Sequence, residues 1–275
     1  MTHPGPRNRI WLVLLATLVA VPGVVAPGAA RAQDMMSGID LTSDSFTKSE
    51  LTRADLEAKL AALKPGEVLD LSARSLNGLD LSGMDLRRTK LQSARINKVK
   101  LAGANLEGVV LDQAWALDAD MTGINLKGAS LFATQLRGAK LDRADMTGAR
   151  VAGDFTNASM TAVRLDGADL SADEKNQSMG LMRGAFKSAN LEGASFKGAN
   201  MARVFMEFAS LKGADLSGAN LRGSELAAAD FTGTDVTGAN FDGADLNSAK
   251  IGGIKNLAGA KNFDKAKNLD RARRD

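Results

Sequence analysis

Cysteine and tyrosine are absent from this chain of 275 residues, and its one histidine, His3, sits near the first residue. A chain beginning at Gln33 would therefore hold no His, Cys or Tyr. That excludes nucleophilic catalysis of the Ser–His–Asp or Cys–His kind, which needs an imidazole base or a thiolate. It also removes the preferred ligands of zinc and copper. Aromatic residues make up only 4% of the sequence, too few for the large-ring packing of an ordinary globular core. Single-sign charge is missing too. The net charge of +3 comes from Arg7, Arg9 and Arg31, and from Gln33 onward 32 basic residues face 32 acidic ones. The basic excess is thus no electrostatic footprint for nucleic acid.

What the first 32 residues contain is the layout of a secretory signal peptide. Arg7 and Arg9 precede an apolar run from Ile10 to Val25, interrupted by Pro22. Ala30-Arg31-Ala32 then gives the small-x-small cleavage pattern, with Gln33 as the first mature residue. The run is short for a spanning helix, so no stable membrane span is expected after cleavage. Without a cysteine beyond the cleavage site, lipid anchoring is excluded. These features predict a periplasmic or secreted protein.

The rest is governed by a period of five. Large apolar residues recur at every fifth position from Leu71 to Val151, interrupted only by Ala116. The phase slips by one to give Phe155, Met160, Leu165 and Leu170, and resumes from Leu181 through Ile251, for 36 positions in all. A small residue, usually Ala, stands two before most centres, as at Ala104, Ala144 and Ala214. Asp or Asn often lies between, as at Asn105 and Asp145, and Gly often follows two after, as at Gly108 and Gly148. A five-residue period suits neither a helix nor a flat strand. It calls for a backbone that turns a corner every five residues, with Gly relieving the turn and Asp or Asn bonding the nearby backbone. Two side chains of each five then point inward, and stacked coils bury one apolar column.

The runs ANLEG (104–108), ADLSGANLRG (214–223) and ANFDGADLNS (239–248) resemble the pentapeptide-repeat family, with its consensus of small, Asp/Asn, Leu/Phe, polar, Gly. The resemblance covers residues 69–253. It implies an all-β fold, a right-handed quadrilateral β-helix with four pentapeptides per coil. The repeat count then gives about nine coils and a rod of about 43 Å, at 4.8 Å per coil.

The predicted organisation is a signal peptide at 1–32, a flexible leader at 33–47, a short N-terminal capping α-helix at 48–66, the solenoid at 67–253 and a C-terminal segment at 254–275. In the helix, Leu51, Leu56, Leu60 and Leu63 share a face, Ser49 serves as N-cap, and Lys64-Pro65-Gly66 stops it. The irregularity at 171–180 predicts a small loop on the solenoid. After Ile251 the spacing lengthens to six in NLAGAK, NFDKAK and NLDRAR, as repeats with one inserted residue. Residues 33–70 carry 4 basic and 8 acidic residues, and residues 251–275 carry 7 and 3, so association through the solenoid ends is one route to a homo-oligomer.

Outward positions twenty residues apart fall in columns, and Asp80, Lys100, Asp120 and Lys140 alternate in sign. Outward apolar residues are the exceptions. Trp115 precedes the small centre Ala116, and Phe205 and Phe208 flank Met206. These three form the candidate interaction surface, against which local filling beside Ala116 and packing under the 171–180 loop are the simpler structural readings. No catalytic residue, cofactor or metal site is expected. The function expected is a non-enzymatic exported structural or protein-interaction scaffold, its partner a protein or an envelope component. The alternative is a DNA mimic that modulates a type II topoisomerase, an activity known in the family. Export and a neutral surface both speak against it, and no nucleic acid is expected as a partner.

Overall fold

The computed structural model describes residues 39–173 and 182–275. The signal-peptide positions Ala30, Ala32 and Gln33 lie outside them.

Leu101 shows how a five-residue run becomes one side of a coil. Its N–H donates to Asp120 O of the next coil at 2.7 Å, and Gly103 N–H donates to Thr122 O at 2.9 Å. Lys100 N–H reaches back to Leu79 O of the previous coil at 2.8 Å. Ala104 N–H closes the corner onto Leu101 O at 3.0 Å. Parallel bridges therefore join residues twenty apart, as in Asp80 to Lys100 to Asp120 to Lys140, and four five-residue sides make one coil. We number the sides by their first centres: Leu71 on side one, Leu76 on side two, Leu81 on side three, Leu86 on side four. A corner ends each side before a long strand can grow. Leu69–Asp70 (β1) and Thr89–Lys90 (β2) form a two-residue parallel pair, and elsewhere the ladder consists of single-residue bridges.

The centre and the small residue two before it point inward, as Leu106 and Ala104 do, and both are buried. Together these positions form one continuous apolar core. Full burial of each leucine contributes about 1.5–3 kcal/mol, which a lone repeat could not gain. The Asp or Asn before the centre closes an Asx turn. Asp145 Oδ1 accepts from Thr147 N–H at 3.1 Å and from Thr147 Oγ1 at 2.6 Å.

Two irregularities are spliced into this ladder without breaking it. From Val151 to Phe155 the side is one residue short, and Gly153 permits it. A Cβ there would lie 2.6 Å from Thr134 O. After Leu170 the chain leaves the ladder and returns at Gly184, whose N–H donates to Leu170 O at 3.0 Å as an ordinary corner residue would. Asp173 N–H donates to Met182 O at 2.8 Å, clamping the base of the insertion. Leu181, expected as the first centre after the break, lies outside the described residues. The inward position that follows Leu170 in the ladder belongs to Phe186, since Phe155 N–H bonds Ala185 O at 2.7 Å.

At the N-terminal end the helix is shorter than expected, Arg53–Ala61 (α2), and its N-cap is Thr52, not Ser49. Thr52 and Asp55 form a reciprocal capping box, with Asp55 N–H on Thr52 Oγ1 at 3.1 Å and Thr52 N–H on Asp55 Oδ2 at 2.8 Å. Ser49 is committed elsewhere, in an antiparallel bridge to Leu76. Leu56 is fully buried against the first coil, with Leu51 and Leu60 packed beside it. Arg53 Nη1 pins the helix by donating to Asp80 O at 3.1 Å.

At the other end the six-residue spacing makes a wider final turn on the same four sides. Lys255, Lys261, Lys267 and Arg273 bridge to Asp235, Asn240, Asp245 and Lys250. The inserted residues Asn256, Asn262 and Asn268 take left-handed φ of 58°, 53° and 55°. Each starts a 3-10 turn, so that Gly259, Lys265 and Arg271 donate their N–H to Asn256, Asn262 and Asn268 O within the turn. In a regular coil the corner N–H reaches for a further coil. Here it is satisfied locally, which blunts the open edge.

Candidate functional site

Side two differs from the other three because the chain docks a segment of itself there. Residues 39–47, the described part of the expected flexible leader, lie against the solenoid. Asp44–Thr47 forms one helical turn (α1). Asn77 Nδ2 donates to Ser45 O and to Lys48 O, each at 3.1 Å. One coil further on, Asn97 Nδ2 donates to Asn77 Oδ1 at 3.1 Å and to Phe46 O at 3.4 Å. Asn77 Oδ1 also takes Asn97 N–H at 2.9 Å, and Asn97 Oδ1 takes Leu117 N–H at 3.0 Å. Both asparagines thus stay buried and paired, one end in the ladder and the other on the docked segment. Glu50 completes the attachment. Arg74 Nη1 donates to its Oε2 at 3.0 Å and Ser75 N–H to its Oε1 at 3.1 Å. Those bonds, Arg74 first, hold the Glu50 carboxyl below the ordinary glutamate range.

Trp115 points outward from side two, as the sequence predicts, and is half-buried because Phe46 covers it. The two rings meet edge to face with centroids 5.2 Å apart at 80°. The Trp115 part of the expected interaction surface is therefore taken by this chain's own segment. Sequence reading missed Phe46, Asn77 and Asn97. The spacing of twenty between the two asparagines was the available signal.

Phe205 and Phe208 lie further along the same side. Phe205 is half-buried, with the Arg183 guanidinium 5.1 Å above its ring centroid. Arg183 Nη1 also pairs with Glu225 Oε1 at 2.7 Å and donates to Arg203 O at 3.2 Å. Phe208 is 58% exposed and sits at a corner with φ of 61°. In the neighbouring coils Ser188 and Ala228 hold that corner. A bulky side chain in left-handed backbone is unfavourable, so the position carries both backbone strain and exposed apolar surface. Phe205 lies on side two and Phe208 at the corner that follows it, while Trp115 lies in an earlier coil under its own cover.

A groove of about 480 Å³ follows the corner between sides one and two, lined by Arg183, Arg203, Arg222, Glu225, Asp242 and Lys267 together with Gly223 and Gly243. Elsewhere on the outer surface several carboxylates pair with cations of a neighbouring coil, although Asp215 and Asp235, like Glu225 and Asp245, are like-charged bridge partners. Lys100 pairs with Asp80 at 3.6 Å, Arg137 with Asp154 at 2.6 Å, and Arg150 with Asp169 at 2.7 Å. Among the described residues no cluster of His, Cys, Asp or Glu is arranged to hold a metal ion, and no helix is long and apolar enough to cross a membrane.

No curated protein matches this sequence. Solved structures do. HetL, a pentapeptide repeat protein from Nostoc sp. involved in heterocyst differentiation regulation, is 23% identical, with 81% of this chain and 94% of that chain covered and a TM-score of 0.34. QnrB1, a plasmid-mediated fluoroquinolone resistance protein, is 17% identical over 73% of this chain and 92% of its own, with a TM-score of 0.46. A pentapeptide repeat protein of the Arabidopsis thaliana thylakoid lumen is 29% identical over 53% of this chain and 70% of its own, with a TM-score of 0.21. The family model for pentapeptide repeats matches residues 70–108, 97–131, 118–148, 189–226 and 224–255, in eight copies. Those segments span more than half of the chain, which therefore belongs to the pentapeptide-repeat family and has its right-handed quadrilateral β-helix.

Proposed function

We propose that the protein is a non-enzymatic interaction scaffold, a rod of about nine coils that holds outward side chains in fixed register for a partner protein or envelope component. The observation that carries this reading is the docking of residues 39–49 on side two. The rod's outer face takes a polypeptide there by an asparagine ladder, an antiparallel bridge at Ser49 and an aromatic contact at Trp115. Phe205 and Phe208, on the same side, offer apolar surface of the kind that marks contact sites. Export to the periplasm or beyond rests on residues 1–32 alone, and the working protein on this reading begins at Gln33. The topoisomerase alternative gains no support from the surface, where cations of neighbouring coils answer the carboxylates.

The test joins cell fractionation to N-terminal sequencing and a pull-down from the compartment found. A chain starting at Gln33 outside the inner membrane, with a partner lost on Phe205→Ser/Phe208→Ser substitution, is the expected result. A cytoplasmic chain that protects gyrase in a supercoiling assay would replace this reading with the alternative.

A further inference from the structure

The groove between sides one and two is lined by more cations than carboxylates. It runs from Arg183, beside the insertion, past the corners at Arg203, Gly223 and Gly243 to Lys267 in the final turn. Those are four coil steps, about 19 Å at 4.8 Å each, which matches five or six residues of extended chain. Two successive corners carry no side chain of their own: a Cβ built at Gly243 meets nothing within 4 Å, and one at Gly223 meets only Arg203 Cγ at 3.5 Å. Four cations line it against two carboxylates.

The carboxylates are already answered. Glu225 is held by Arg183 at 2.7 Å, and Asp242 lies 3.7 Å from Arg222. That second pair is long, and the Arg222 side chain is 70% exposed, so most of its guanidinium donors face the groove or solvent. Lys267 makes no ion pair among the described residues. Arg222 and Lys267 stand two coil steps apart along the rod, about 10 Å, between the roughly 7 Å and 13 Å that separate same-face carboxylates two and four residues apart in an extended peptide, a difference their long side chains can span.

We propose that this groove binds an extended acidic polypeptide segment, with Arg222 and Lys267 taking its carboxylates. The inference rests on the scaffold reading and names the kind of partner segment. The adjoining side two already accepts a polypeptide in residues 39–49. Guanidinium and carboxylate match as planar partners, and the contact is charge-assisted.

Fluorescence anisotropy on the full chain tests it, with labelled hexa-aspartate as probe and hexa-lysine as control. The expected result is salt-sensitive binding of hexa-aspartate alone. The double variant Arg222→Ala/Lys267→Ala should weaken it about tenfold, while Lys100→Ala, which removes an exposed cation from a distant coil, leaves it unchanged. Equal loss in the double variant and in Lys100→Ala would overturn the proposal, as would equal binding of hexa-lysine or equal competition by an oligouronate. A partner pulled down undiminished by the double variant would refute the groove while leaving the scaffold reading intact.

Discussion

Phe155 and Phe186 stack face to face, 4.8 Å apart and 9° from parallel, although the chain between them runs 31 residues where a regular coil has twenty. The contact shows that the ladder ignores the insertion, because Gly184 resumes the corner bond to Leu170 O that any repeat would make. Removing residues 173–183 leaves Leu170-Ser171-Ala172-Gly184-Ala185-Phe186, one regular five-residue step. The deletion is expected to keep cooperative unfolding within about 1 kcal/mol of the parent. By contrast, Phe186→Ala should cost about 3–5 kcal/mol through the cavity it leaves. Denaturant unfolding of both variants checks the pair.

The docked N-terminal segment gives a second expectation. In a chain starting at Gln33, Trp115 is the only tryptophan, so its fluorescence reports on the Phe46 contact. Phe46→Ala should red-shift the emission and speed amide exchange over residues 44–48, while the solenoid's unfolding midpoint moves little. An unchanged spectrum would mean that Phe46 does not cover the indole in solution.

Much of this architecture is legible in the residues because the period of five is geometric. It fixes which side chain meets the core, and Leu101, Leu106 and Ala104 fall where the spacing puts them. The alternating column from Asp80 to Lys140 is likewise a row of bridged neighbours. What the period cannot carry is any contact made across it. Thr52 displaces Ser49 as N-cap because Asp55 completes a reciprocal pair and Ser49 is drawn to Leu76. Phe46 reaches Trp115 over a sequence distance that no repeat encodes. Phe186 takes the place expected for a nearer residue because an insertion hides the phase until the hydrogen bonds are seen. At the C-terminal end the added Asn256, Asn262 and Asn268 announce a changed turn. Their part in closing the edge depends on left-handed backbone that spacing alone does not reveal.

Acid should weaken the corners. Thr237, through its hydroxyl and N–H, holds the Asp235 carboxyl below the ordinary aspartate value of 3.8. At Asp230 burial pushes upward, but the Thr232 bonds and Lys250 outweigh it, and the carboxyl is again lowered. Groups with depressed folded values contribute stability above their unfolded values and lose it as pH falls through the folded ones. The melting temperature is therefore expected to be nearly flat above about pH 5 and to fall below about pH 4. Replacing Thr232 and Thr237 by Val should shrink that acid-dependent fall.

The stacking of coils at a twenty-residue interval is tested most directly by disulfide trapping, since the chain has no native cysteine to interfere. Asp80 and Lys100 are bridge partners on adjacent coils, at a spacing a disulfide can span. Lys90 lies half a coil from Asp80, on the opposite side of the tube. The account predicts that Asp80→Cys/Lys100→Cys oxidises rapidly to an intramolecular disulfide in the folded protein, while Asp80→Cys/Lys90→Cys stays reduced. Cross-linking of the second pair as readily as the first, or failure of the first in a folded chain, would contradict it.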